Sequence, residues 1–147
     1  MRLKLISCQV FTREMEAAMN QSHHAIEVEF LSMGLHEVGC VNMRQYLQSA
    51  VDRADREDFD AILMGYGLCN NGLVGLHARS SPLIVPRAHD CITLLLGSKE
   101  RYLDYFNKHP GVYFRSSGWL EHHTNPENLN QLSFAQQNGM HMSRTVH

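Results

Sequence analysis

The segment that most constrains the fold is an apolar, β-branched run followed by a proline and a polar loop. Leu83-Ile84-Val85 has the composition of a buried strand, and Pro86 ends strand pairing because it has no N–H to donate. A helical pattern over 92–106 follows the loop Arg87-Ala88-His89-Asp90-Cys91. A strand that ends in Arg, His, Asp and Cys is typical of an α/β protein that carries its chemistry at the carboxyl edge of its sheet.

The helical pattern in this segment is interrupted by Gly97-Ser98-Lys99. Two interpretations fit the interruption. Either one helix is broken at Gly97, or a short helix ends there and a second one, capped by Ser98, begins.

The rest of the chain alternates between strand-like and helix-like stretches. Apolar runs predict strands near residues 3–8, 26–31, 59–65, 83–86 and 112–115. The alternation predicts a three-layer α/β domain, similar to half of a Rossmann fold, with a mainly parallel sheet of four or five strands. We expect residues 1–123 to form this domain. Residues 124–147, rich in Asn and Gln and without apolar periodicity, are expected to be a disordered or weakly packed tail.

Composition limits the classes of function. The chain has 147 residues and a formal net charge of −2, which suits one globular domain and excludes the basic surface typical of nucleic-acid binding. No apolar run approaches the roughly 20 residues that span a bilayer, and the apolar start of the chain is too short for a signal peptide. We therefore expect a cytoplasmic protein whose partners are a small-molecule ligand or another enzyme, and not a membrane.

The four cysteines are more informative than the composition. Cys8, Cys40, Cys69 and Cys91 include no Cys-x-x-Cys pair. In a cytoplasmic chain they are expected to be free thiols or metal ligands rather than disulfides. Any metal site must therefore be assembled by the fold from separate loops.

A glycine-rich turn follows the third predicted strand. Its members Gly67, Asn70 and Asn71 are candidates for cofactor binding, because glycine lets the backbone approach a ligand closely. A helix predicted over 73–78 would offer its N-terminal N–H groups at the same place, and would lower the pKa of the Cys69 thiol.

Thiols and an imidazole thus follow several strands, and the fifth predicted strand leads to Glu121. Because parallel strands end at one edge of a sheet, these groups are expected to meet there. The first functional hypothesis is a binding or catalytic site for zinc or another soft transition metal, whose ligands are Cys8, Cys69, His89 and Cys91.

The second hypothesis is a metal-free, cysteine-dependent transferase. Here Cys69 is the nucleophile, activated by His89 or by a helix N-terminus, and Arg87 is a further candidate catalytic residue. The two hypotheses share the same edge of the sheet and differ in whether the thiols hold a metal.

Four segments resemble the DUF1638 family, and they lie at residues 5–14, 63–73, 86–102 and 118–121. The most specific of them contains the sequence PRAHDCITLLLGS. The resemblance runs from the N-terminus to about Glu121, and it implies a bacterial or archaeal α/β protein with no settled activity. Relative to the family the chain looks shortened at its C-terminus, so we expect exposed apolar surface that favours a homo-oligomer.

The resemblance also carries a third hypothesis. The genomic setting of some family members is similar to that of corrinoid-linked methyl-transfer systems. This implies a module that binds a corrinoid or another small molecule in the service of a partner enzyme. The open edge of a parallel sheet suits such a ligand, although the chain has no GxGxxG or DxHxxG motif.

Overall fold

The computed structural model describes residues 1–69 and 71–123. The predicted tail, 124–147, and the candidate Asn70 lie outside the described residues. The elements in chain order are β1 (Arg2–Cys8), α1 (Thr12–Asn20), β2 (Ala25–Leu31), α2 (Cys40–Ala54), β3 (Ala61–Gly65), β4 (Leu83–Ile84), α3 (Cys91–Leu96), α4 (Lys99–Lys108) and α5 (Ser117–His123). Short 3-10 turns, Gln9–Phe11 and Met33–His36, follow β1 and β2.

The strands form one parallel sheet in the order β2-β1-β3-β4, which confirms the predicted α/β architecture. Cys8, the last residue of β1, pairs with Leu31 at the end of β2. Ser7 pairs with Gly65 at the end of β3. The strands β2, β1 and β3 therefore end within one residue of each other, and the loops that follow them lie side by side.

Helices cover both faces of the sheet because β1 is apolar on both. Ile6 and Cys8 pack in the larger core with Leu47 of α2. Leu5 packs in a smaller core on the other face, which Met15 of α1 covers. Since side chains alternate along a strand, this register places the Cys8 thiol on the α2 face of the sheet.

The segment after β4 contains two helices, as the second interpretation predicted. The Asp90 carboxylate accepts a hydrogen bond from the N–H of Thr93 at 2.7 Å and caps α3. Gly97, with φ at +82°, ends α3 in the left-handed conformation. The Ser98 hydroxyl then accepts a hydrogen bond from the N–H of Arg101 at 3.1 Å and caps α4.

Two predicted elements were wrong. Residues 112–115 form no strand, because Phe114 packs against the rings of Tyr102 and Tyr105, at 5.7 and 5.6 Å between centroids, instead of joining the sheet. Residues 71–75 form turns where a helix over 73–78 was predicted, and Gly75 has a φ of +86° that a helix does not accommodate.

Because residues 112–115 form no strand, Glu121 does not follow a strand end as predicted. This residue lies in α5, where its carboxylate forms an ion pair with Arg13 of α1. It contributes to the attachment of α5 and does not line the pocket described below. Within residues 1–69 and 71–123, no helix has the length and apolar character needed to cross a membrane.

Candidate functional site

The Cys8 thiol lies at the centre of the carboxyl edge. Its residue is only 1% exposed, and its Sγ is 3.6 Å from Nε2 of His36. Burial raises the pKa of Cys8 to about 12, with smaller contributions in the same direction from the nearby Cys91 and Cys69 thiols. The three thiols that the sequence predicted to meet are therefore within electrostatic range of each other.

The loop that carries Cys69 is joined to the loop after β4. The N–H of Leu68 donates to the carbonyl of Ala88 at 2.9 Å, and the N–H of Cys69 donates to that of His89 at 3.3 Å. A Cβ at Gly67 would lie 2.6 Å from the backbone carbon of Asp90. Glycine at this position therefore allows the two loops to touch, a packing role that the sequence did not reveal.

The backbone of Cys69 is strained. Its φ is +38°, in the left-handed region that residues other than glycine rarely adopt. Asn71, with φ at +60°, is the only other non-glycine residue with positive φ within the described ranges. Strained residues of this kind concentrate at functional sites, where the surrounding structure holds them in place.

The pKa of the Cys69 thiol is raised, whereas the sequence predicted that it would be lowered. Burial raises its pKa to about 12, and the neighbouring Cys91 contributes in the same direction. The expected lowering fails because no helix begins after Cys69 and its side chain is buried. The pKa of Cys91, the first residue of α3, is also raised, by burial and then by Asp90.

Cys69 and Cys91 line a pocket of about 450 Å³. Its lining consists of His36, Leu68, Cys69, Asn71, His89, Asp90 and Cys91. Four of the predicted site residues therefore line one cavity: Cys69, Asn71, His89 and Cys91. Cys8 does not line it, but its Sγ contacts the ring of His36, which does. Arg87 lines a neighbouring cleft instead, and Cys40 is exposed at the start of α2.

His36 is the residue that sequence reasoning missed. A histidine in a loop is usually solvated, yet the imidazole of His36 is partly buried. Burial lowers the pKa of His36 and so favours the neutral ring. His89 lines the same pocket but is exposed. The rule that found the cysteines would also have found His36, because its 3-10 turn directly follows the end of β2.

Tyr66 extends the site into the core. Its side chain is fully buried, with its ring 6.3 Å from the ring of His36. Its hydroxyl has no hydrogen-bond partner among the described residues. Burial raises its pKa well above the usual value, and the Cys8 and Cys69 thiols add to the effect. A buried hydroxyl without a partner is uncommon.

The donors have the chemistry that a soft metal prefers, namely thiolate and neutral imidazole. Their present spacing is wider than a bound ion requires. Within the part of the chain that the structure describes, no three His, Cys, Asp or Glu side chains stand close enough together to hold a metal ion.

Fold and site together define a parallel α/β domain with a thiol-rich pocket at the carboxyl edge of its sheet. The family described as "Protein of unknown function (DUF1638)" matches residues 30–145, most of the chain, so the protein belongs to this family. The match includes Cys69 and Cys91, begins after Cys8, and continues beyond Glu121, where we expected the resemblance to end. No curated protein and no solved structure matched the chain.

Proposed function

We propose that the protein binds a soft transition metal, zinc in the first place, at the carboxyl edge of its sheet. The ligands would be the thiolates of Cys8, Cys69 and Cys91 together with the imidazole of His36. The observation that supports this proposal most directly is that Cys69, Cys91 and His36 line one pocket, and that the Sγ of Cys8 lies 3.6 Å from Nε2 of His36.

A metal ion would resolve the electrostatic conflict in the pocket. Buried thiolates are unfavourable because they are desolvated and repel each other, which is why the pKa values of Cys8 and Cys69 are raised to about 12. A divalent cation replaces the thiol protons and compensates the charge of the thiolates. The neutral form of His36, favoured by burial, is the form that binds metals.

Binding would require the loops to close slightly. A thiolate lies at about 2.3 Å from a bound zinc ion, and the thiols are further apart than that geometry demands. Cys8 is fixed in the core at the end of β1, so the loop of Cys69 and the first turn of α3 would move towards it. His36 replaces His89 as the proposed imidazole ligand because it lies beside Cys8.

The raised pKa of the Cys69 thiol disfavours the metal-free transferase. A cysteine nucleophile needs a thiolate near neutral pH, whereas burial raises the pKa of Cys69 to about 12. No observation in the described residues specifically favours a corrinoid. A partner enzyme, self-association and a cytoplasmic location stay predictions.

The test is metal analysis of the full chain, purified anaerobically without a histidine tag. We expect about one transition-metal ion per chain, because such ligand sets bind zinc tightly. Fewer than about 0.2 ions per chain, also after incubation with zinc and gel filtration, would contradict the proposal.

Single substitutions identify the ligands. Cys69→Ser and Cys91→Ser should each lower the metal content several-fold, whereas Cys40→Ser is the matched control, because Cys40 is exposed and outside the pocket. His36→Gln should weaken binding more than His89→Gln. An equal metal content in C40S, C69S and C91S would refute this ligand set.

A further inference from the structure

A second cleft, of about 520 Å³, adjoins the thiol-rich pocket. The two cavities share Leu68 and His89 in their linings. Val85 adds apolar surface to the cleft, and Arg87 and Lys99 add two positive charges. The cleft is therefore concave, partly apolar and cationic, and it borders the proposed metal site.

Within residues 1–69 and 71–123, neither cation has a partner that neutralises its charge. Neither Arg87 nor Lys99 forms an ion pair or a side-chain hydrogen bond with another residue of the described ranges. The neighbouring carboxylate, Asp90, is occupied as a helix cap, since its Oδ1 accepts from the N–H of Thr93 at 2.7 Å and from its hydroxyl at 2.9 Å. Neither charge is therefore committed to another side chain in the part of the protein that the structure describes.

The backbone holds Arg87 at a fixed place. The N–H of Ala88 donates to the carbonyl of Pro86 at 2.9 Å, which closes a three-residue turn with Arg87 at its tip. The bond from the N–H of Leu68 to the carbonyl of Ala88 fastens this turn to the neighbouring loop. A side chain carried by a fixed turn loses less freedom when it binds a ligand.

Lys99 also lies at the start of a helix. Lys99 is the first residue of α4, a helix of ten residues. The N-terminus of a helix carries a partial positive charge, so a lysine there is unfavourable and an anion is favourable. The first turn already holds the acidic residue Glu100, and a negatively charged ligand in the cleft would add to its stabilising effect.

We propose that this cleft binds a small organic anion, a carboxylate or a phosphate monoester with a short apolar body. The anionic group would contact Arg87 and Lys99, and the apolar body would lie against Leu68 and Val85. The anion becomes the substrate or ligand of the metal site only if the proposed function is right. The cleft itself does not depend on a metal.

Calorimetric titration of the full chain, metal-free and loaded with zinc, tests the cleft with butyrate, neutral butanamide and inorganic phosphate. Butyrate should bind at least tenfold more tightly than butanamide. The double variant R87Q/K99Q should lose at least tenfold in butyrate affinity. The control R56Q/R79Q removes the same charge from exposed side chains elsewhere and should bind as the wild type does. Phosphate binding as tight as that of butyrate would identify phosphate monoesters as the ligand class, and weaker binding would identify carboxylates.

Equal affinity for butyrate and butanamide, no detectable butyrate binding, or unchanged binding by R87Q/K99Q would each overturn the inference. All four substituted residues are exposed, and thermal unfolding should confirm that both double variants fold. Metal content measured on the same samples separates the two proposals. A chain that binds butyrate but cannot be loaded with zinc refutes only the metal site, and one that holds zinc but binds no butyrate refutes only the cleft.

Discussion

Zinc binding near neutral pH should release about three protons per ion. Burial raises the pKa values of Cys8 and Cys69 to about 12, and the pKa of Cys91 is raised as well, so all three are protonated thiols before the metal binds. Each must lose its proton to become a ligand. Burial lowers the pKa of His36, so the imidazole is already neutral and contributes no proton at pH 7.5.

The same proton release sets the pH dependence of affinity. Because zinc displaces protons, binding strengthens as the pH rises. Three protons correspond to roughly a thousandfold change in Kd per pH unit, or about 4 kcal/mol, between pH 7 and 8. Below the pKa of His36 the ring must also lose a proton, and affinity should fall more steeply still.

Proton release can be followed with phenol red when stoichiometric zinc is added to the metal-free chain in weakly buffered solution at pH 7.5. The control C40S should release as many protons as the wild type, since Cys40 is exposed and outside the pocket. C69S should release about two. A wild-type release of about one proton or none would refute the reasoning, because the thiols would then be ionised already or would not be ligands.

Three further predictions concern reactivity and stability. In the metal-free chain, iodoacetamide near pH 7.5 should label the exposed Cys40 before Cys69, as followed by mass spectrometry, and faster labelling of Cys69 would favour the transferase hypothesis. Gly67→Ala should lower the free energy of unfolding in urea by roughly 1–3 kcal/mol, because the new Cβ would lie 2.6 Å from the Asp90 backbone. Gly97→Ala has open space and only a φ of +82° against it, so an equal or larger loss there would contradict this account. Asp90→Ala removes the cap of α3 and should cost about 1 kcal/mol in the same assay, and an unchanged midpoint would argue against the cap.

Much of the fold follows from local sequence patterns. The apolar runs located β1, β2, β3 and β4, and Ser98 and Gly97 marked the boundary between α3 and α4. The predicted strand at 112–115 failed because the aromatic residue Phe114 finds partners on α4, and such tertiary packing leaves no local signal. The helix predicted at 73–78 failed at Gly75, whose left-handed backbone is decided by the loop as a whole.

The site was predictable to the extent that it depends on topology. Parallel strands end at one edge, so the meeting of Cys8, Cys69 and Cys91 follows from their positions after strands. The acidity of Cys69 does not follow, because it depends on burial that only the packed structure determines. The position of His36 follows from the same topology, since its turn comes after β2, but its contact with the Cys8 thiol depends on the packed structure.

The left-handed backbone of Cys69 lowers stability at a position whose thiol belongs to the proposed site. A non-glycine residue in this conformation costs about 1 kcal/mol, and a glycine would adopt it freely. C69G should therefore fold about as well as the wild type while losing the thiol. The turn does not require cysteine, so the C69G substitution separates the backbone requirement of the turn from the contribution of the thiol.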